Sequence, residues 1–119
     1  MIDLRGLVGE DFCYLATIGR VTGRPHEIEI WFALVPETRT LYMLSGGGEH
    51  SDWVRNLRRN PEVTVRIAEE SFVGIAREAG DDQEDELARR LLVEKYESTP
   101  GSLANWRRTA LPVVVDLAT

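Results

Sequence analysis

The order of elements legible along the chain, β β β α β β α β, predicts a mainly β, α+β domain. Its core would be a six-stranded antiparallel sheet closed into a small barrel, with two flanking helices. Three observations carry this. Short runs of strand formers alternate in polarity, most cleanly at 62–67 (EVTVRI), where Val63, Val65 and Ile67 share one side. Only two segments switch to helical spacing, and both interrupt a meander of short-looped strands. Six apolar strands also leave open edges, which closure of the sheet on itself removes.

The first strand is 12–18 (FCYLATI), bounded by Gly9 and Gly19. A turn follows at 19–25 (GRVTGRP), with two glycines, one proline and two arginines in seven residues. The second strand, 26–34, opens with Glu27, Ile28, Glu29 and Ile30 in strict alternation and becomes apolar on both faces from Ile30, as though passing from an edge into the interior. Residues 36–39 make a tight connection, and 40–45 return as the third strand.

Glycines 46–48 then lead into a helix that begins near Ser51 and stops at Asn60 and Pro61. Trp53 and Leu57 lie on one face of it, with Val54 beside them. Strand four is 62–67 and strand five 72–79. Asp81 followed by Glu84 has the spacing of a helix cap with its reciprocal acid; Leu87, Leu91, Leu92 and Tyr96 then mark an apolar stripe. A loop at 97–108 with room for one helical turn contains Trp106, and 111–117 closes the chain as strand six.

The 119 residues suit one domain, 1–119, of ordinary globular composition, with 43% hydrophobic and 29% charged residues. No apolar run approaches the roughly 20 residues of a membrane span, and the first dozen residues do not read as a secretory signal, so a cytoplasmic protein is expected. Cys13 is the one cysteine, which excludes an internal disulfide and suggests a buried small hydrophobe. A net charge of −6 opposes a nucleic-acid partner. The surplus acid nevertheless concentrates in 69–86, whereas Arg20, Arg24, Arg55, Arg58, Arg59 and Arg66 surround the glycine stretch, where a small anion would find positive charge.

Conventional catalytic groups are scarce. His26 and His50 have no acid at metal-ligating spacing, so no metal site is expected, and neither Cys13 nor any serine sits in a nucleophile motif. What remains is a cationic glycine turn, a glycine loop leading into a helix, and three tryptophans, Trp31, Trp53 and Trp106. That set suits a phosphate-bearing aromatic cofactor whose own ring does the chemistry, with no catalytic side chain required.

Residues 16–25 (ATIGRVTGRP), the strand 27–34, the run 44–47 (LSGG), and 53–61 (WVRNLRRNP) followed by 63–65 (VTV) resemble the deazaflavin-dependent nitroreductase family. This is a family of the FMN-binding split-barrel group, which also holds the pyridoxamine-phosphate-oxidase-like proteins. The likeness runs to the last strand, through the loop from Tyr96 to Trp106 and on to 112–115 (PVVV). It implies a split barrel and an oxidoreductase that passes hydride from deazaflavin coenzyme F420, or with FMN as the alternative, to a small quinone, nitro or other conjugated acceptor. A non-catalytic cofactor-binding protein on the same barrel is the other reading. The family's phosphate-holding turn falls on Arg20, Thr22, Gly23, Arg24 and His26. Ser45, Gly46, Gly47, Trp53 and Asn56 would line the ring and its chain, and Trp31, Tyr96 and Trp106 would face the substrate. Val21 stands where a base is usual, His26 where arginine is usual, and Gly46 where some members have lysine. Exposed strand faces and the glutamates of the second strand leave room for a homodimer.

Overall fold

The computed structural model describes residues 3–119. Seven strands form one sheet: β1 Cys13–Ile18, β2 Pro25–Ile30, β3 Ala33–Val35, β4 Thr40–Ser45, β5 Glu62–Ile67, β6 Glu70–Glu78 and β7 Leu111–Leu117. Their order is β2-β1-β5-β6-β7-β4-β3, with every neighbouring pair antiparallel. The sequence predicts six strands, and the difference lies in the second. Its run 26–34 is two strands, β2 and β3, joined through Trp31 and Phe32 and lying on opposite edges of the sheet.

That connection dictates the shape. Seven strands laid flat put the outer two about 29 Å apart, at roughly 4.8 Å per neighbour. Ile30 and Ala33, however, are separated by three chain steps, which reach at most about 11 Å. The sheet therefore has to curl until its edges meet, and the barrel follows from the covalent chain.

Such a crossing leaves the Phe32 peptide outside any strand ladder, and buried polar groups need partners. The C-terminal end of a helix supplies them. Phe32 N–H donates to the Tyr96 hydroxyl (3.0 Å), and the Lys95 ammonium donates to Phe32 C=O (2.9 Å) while lying 3.7 Å from the Phe32 ring centre. The Tyr96 hydroxyl also lies within donating distance of Asp11 C=O (2.8 Å). Burial lowers the Lys95 pKa below its ordinary value and pushes that of Tyr96 up to about 12.

Side chains sort onto two cores. Inside the barrel, Leu15, Leu41, Met43, Val65, Val113 and Val115 are fully enclosed. Cys13 joins them as a small hydrophobe, its thiol pushed to about 12 by desolvation. On the outside of β3, β4 and β7, Tyr42, Leu44 and Val114 are covered by Ala88 and Leu92 of helix α2, Asp82–Tyr96. Hence every residue of β4 is buried. Helix α2 starts as the sequence predicts, with Asp81 Oδ1 accepting from Glu84 N–H at 2.8 Å. Glu84 bonds back to Gly80 N–H and is gripped by Arg77, which also reaches Asp116 and so ties β6, β7 and α2 together. That guanidinium holds the Glu84 carboxyl below the usual carboxylate range. Helix α1, Asp52–Arg59, sends Val54 and Leu57 into the barrel core. The expected turn near Trp106 is helix α3, Ala104–Thr109. A 3-10 turn at Leu4–Leu7, with no counterpart in the sequence reading, adds Leu4 and Leu7 to the barrel core. Among the described residues no helix is long and apolar enough to cross a membrane.

Tyr96→Phe keeps the ring and removes the hydroxyl, so urea denaturation should show a loss of about 1–3 kcal/mol, the cost of a buried donor left unpaired. Because the Tyr96 pKa is raised in the folded chain, its contribution is intact below the unfolded value near 10 and lost as pH climbs toward about 12. The wild-type should lose stability across that window more steeply than Tyr96→Phe. Equal slopes would remove Tyr96 as the cause.

Candidate cofactor and acceptor site

Two clefts open side by side, with Trp53 lining both. The polar one, of about 440 Å³, lies where the β1–β2 turn meets α1. The turn is closed by Gly19 N–H donating to Arg24 C=O (2.7 Å) and Gly23 N–H to Gly19 C=O (2.8 Å), and Gly23 takes the left-handed conformation that favours glycine (φ 73°).

Asn56, nearly fully buried on α1, organises this cleft. Its Nδ2 donates to Thr17 Oγ1 (3.1 Å), while its Oδ1 accepts from both Arg20 N–H (3.1 Å) and Arg20 Nη1 (2.9 Å). Arg20 Nη2 also pairs with Asp52 Oδ1 at 3.1 Å. The guanidinium is thus held against the helix with its Nε–H and one Nη2–H left over. His26 packs over Gly19 beside the Thr22 hydroxyl; a Cβ added at Gly19 would come within 2.6 Å of His26 Nε2 and 2.8 Å of Thr22 Oγ1. Arg20, Thr22 and His26, expected at a phosphate, line this cleft together with Trp53 and Asn56, expected along the ring and its chain, and with Thr17, Glu27 and Asp52, which the sequence does not single out. Gly23 and Arg24 shape the turn without lining the cleft.

The second cleft, of about 530 Å³, is aromatic. Trp31, Trp53 and Trp106 wall it together with Phe12, Ile30, Leu44 and Leu103, and Ser45 and Gly46 form part of the boundary. Ser45 is buried, bonded to Gly48 C=O (2.9 Å) and to the Ser51 hydroxyl (2.8 Å), so its role there is to hold the glycine loop. Gly46 faces the Trp106 indole, whose Nε1 would lie 3.7 Å from an added Cβ, whereas Gly47 is pressed against Ser51 Oγ and lines neither cleft.

Trp31 is stacked on Tyr96 (4.3 Å between centres, 3° between planes) and meets Trp106 edge-on (5.6 Å, 90°). Tyr96 thus backs Trp31 without lining the cleft, its hydroxyl engaged by Phe32. Trp106 is carried by α3, which α2 holds through Arg89 on Arg107 C=O and through the Arg107–Glu86 ion pair. The β2 glutamates, which the sequence leaves seeking partners, find them within the chain. Glu27 lies 3.5 Å from Arg66, and Glu29 accepts from the Tyr14 hydroxyl at 2.7 Å.

Phe12, Leu44, Leu103 and Glu29 were not legible as site residues. Phe12, a large aromatic at the start of the first strand, is 42% exposed.

A model of the F420H(2)-dependent quinone reductase family matches residues 4–118. Among solved structures, a conserved hypothetical protein from Mycobacterium tuberculosis superposes with a TM-score of 0.78 at 20% identity, covering 100% of this chain and 82% of its own. An F420-H2 dependent reductase gives 0.69 at 22% identity, covering 88% and 93%. A pyridoxamine 5'-phosphate oxidase-like protein from Listeria innocua gives 0.72 at 19% identity, covering 98% and 90%. These likenesses identify the curled antiparallel sheet as a split barrel. With a family match across nearly the whole length, the chain belongs to the F420H(2)-dependent quinone reductase family of oxidoreductases.

Proposed function

We propose that the protein binds coenzyme F420 across both clefts and reduces a small conjugated acceptor, with a quinone as the leading class. The observation that carries this reading is the junction at Trp53 between a polar cleft and an aromatic one.

The donor set of the polar cleft fits a phosphate ester. The Thr22 hydroxyl, His26 and the unused N–H groups of Arg20 are available, while Asn56 fixes Arg20 in place. Its charge also bears on which coenzyme it takes. The fixed charge of Arg20 is offset by those of Glu27 and Asp52, so the lining carries no surplus of positive charge. A phosphodiester carries one negative charge and suits such a cleft better than the phosphomonoester of FMN, with roughly 1.5 to 2 charges at neutral pH. The family match favours F420 over the flavin.

In the aromatic cleft, Trp31 and Trp106 present a ring face and a perpendicular edge for a planar acceptor, while Gly46 leaves space beside them. The apolar walls exclude water from a hydride path and orient the partners, which is the protein's share of such chemistry. When bound, the reduced coenzyme supplies the hydride. No side chain has to act as nucleophile or metal ligand. Pairing with a second copy of the chain is supported by Val73 and Ile75, about half exposed side by side on the outer face of β6.

Oxidised F420 should lose fluorescence on titration with the protein, and FMN should bind more weakly. Arg20→Ala should weaken F420 at least tenfold, the equivalent of about 1.5 kcal/mol for a charge-assisted bond. Asp52→Asn, by releasing Arg20 from its exposed ion pair, should tighten binding by up to about fivefold. Unchanged affinity in both variants would refute the phosphate assignment. In steady-state assays with a quinone, Trp106→Ala should raise KM by about tenfold, a typical loss for an aromatic anchor, with coenzyme affinity within twofold of wild-type. A protein that binds coenzyme tightly yet turns over no acceptor in a broad panel would be a carrier instead.

A further inference from the structure

The aromatic cleft holds a single charged residue, Glu29, among its walls. The side chain sits at the mouth on β2, where Tyr14, its direct partner on β1, donates its hydroxyl to Glu29 Oε2 at 2.7 Å. This bond is the largest cause of a raised Tyr14 pKa, as expected for a phenol that keeps its proton to donate a hydrogen bond to a carboxylate. Arg66, the nearby cation on β5, is committed elsewhere. Its guanidinium lies 4.2 Å from the Tyr14 ring centre and 3.5 Å from Glu27. Among the described residues no cation forms an ion pair with Glu29.

Beyond the rim the charge has the same sign. Phe12 is shared with a neighbouring hollow that Glu10, Asp11 and Glu69 line with Arg66 as its one base. On the far side of Trp53 the polar cleft sets a cation, Arg20, against Glu27 and Asp52. The lining of the aromatic cleft thus offers Glu29 no cation, and its low-dielectric aromatic wall strengthens the field of that carboxylate.

We propose that Glu29 sets the charge class of the electron acceptor, admitting neutral and cationic planar molecules to the aromatic cleft and turning anionic ones away. This rests on the reading of that cleft as the acceptor side. It deepens that reading by assigning a specificity residue and a substrate class, a planar conjugated acceptor without an acidic substituent.

The test uses three naphthoquinones with the same ring and a side chain ending in a carboxylate, a hydroxyl or a trimethylammonium group. Each is titrated by calorimetry into protein saturated with oxidised F420, which has no hydride to give, so binding alone is read. At low salt the ammonium compound should bind about tenfold more tightly than the carboxylate, with the hydroxyl compound between them, and the spread should shrink in 0.5 M salt, roughly a 4 Å Debye length. In Glu29→Gln the three should fall within about twofold of one another. Glu37→Gln, at the opposite end of β4 from Ser45, removes the same net charge and should keep the wild-type spread.

Equal affinities in the wild-type, no binding by any of the three, or a spread that survives Glu29→Gln would each overturn the proposal. Failure of the coenzyme reading is seen separately, as absence of F420 fluorescence quenching. In that event the series is titrated into the coenzyme-free chain, where the same order of affinities is required.

Discussion

The backbone of one residue governs this molecule, that of Phe32. It lies where the chain leaves one edge of the sheet and joins the other, and both its N–H and its C=O are met by side chains from the end of α2. Two chemically different requirements converge there. The covalent chain draws the edges together, and the buried peptide demands a donor and an acceptor in the place of a strand neighbour. Lys95 and Tyr96 meet the second, which explains an ammonium tucked against an aromatic ring near a barrel core. The cost of desolvating Lys95 is offset by a carbonyl and two ring faces, those of Phe32 and Tyr96.

The same device prepares the site. Trp31 precedes Phe32 directly, and once the crossing is fixed its indole is held flat against Tyr96, one wall of the aromatic cleft. On the opposite wall Trp53 belongs to a helix whose Val54 and Leu57 are anchored in the barrel core. Trp31 and Trp53 thus each adjoin a fully buried residue, Phe32 and Val54, which anchors two walls of a site that orients its ligands. Asn56 plays the matching part in the polar cleft, where one amide couples a strand, a turn and a helix. The Arg107–Glu86 ion pair that ties α3 to α2, in contrast, joins partly exposed side chains, and Trp106 rides on it.

Much of this was legible in residue order. Alternation placed β5, which keeps one face on the barrel core, short apolar runs of strand formers placed β1, β4 and β7, and Asp81 with Glu84 marked the start of α2 by simple capping chemistry. The double-sided apolar character from Ile30 onward was also a true signal, since β3 lies beneath α2. What alternation does not encode is a change of edge without a turn: Trp31 and Phe32 have the composition of a strand interior and lack any glycine or proline. The site divides in the same way. Arg20, Thr22 and His26 lie close in sequence and were visible as a motif. Glu29 and Phe12 reach the cleft through tertiary placement, and the hydroxyl of Tyr96 is spent on a peptide 64 residues away.

The crossing also bears on how such a protein can diversify. With only Trp31 and Phe32 between the two ladders, a deletion between Ile30 and Ala33 would force a slip of β2 on β1 or of β3 on β4, flipping the side chains of that edge. That stretch is closed to changes of length and open only to changes of side chain. The segment from Glu97 to Leu103 is not bound in this way. It lies mostly at the surface, outside every strand ladder, and delivers Leu103 and Trp106 to the same cleft. Evolution or design that reshapes the acceptor range by altering chain length has this loop to work with, and the wall around Trp31 stays constant while it does so.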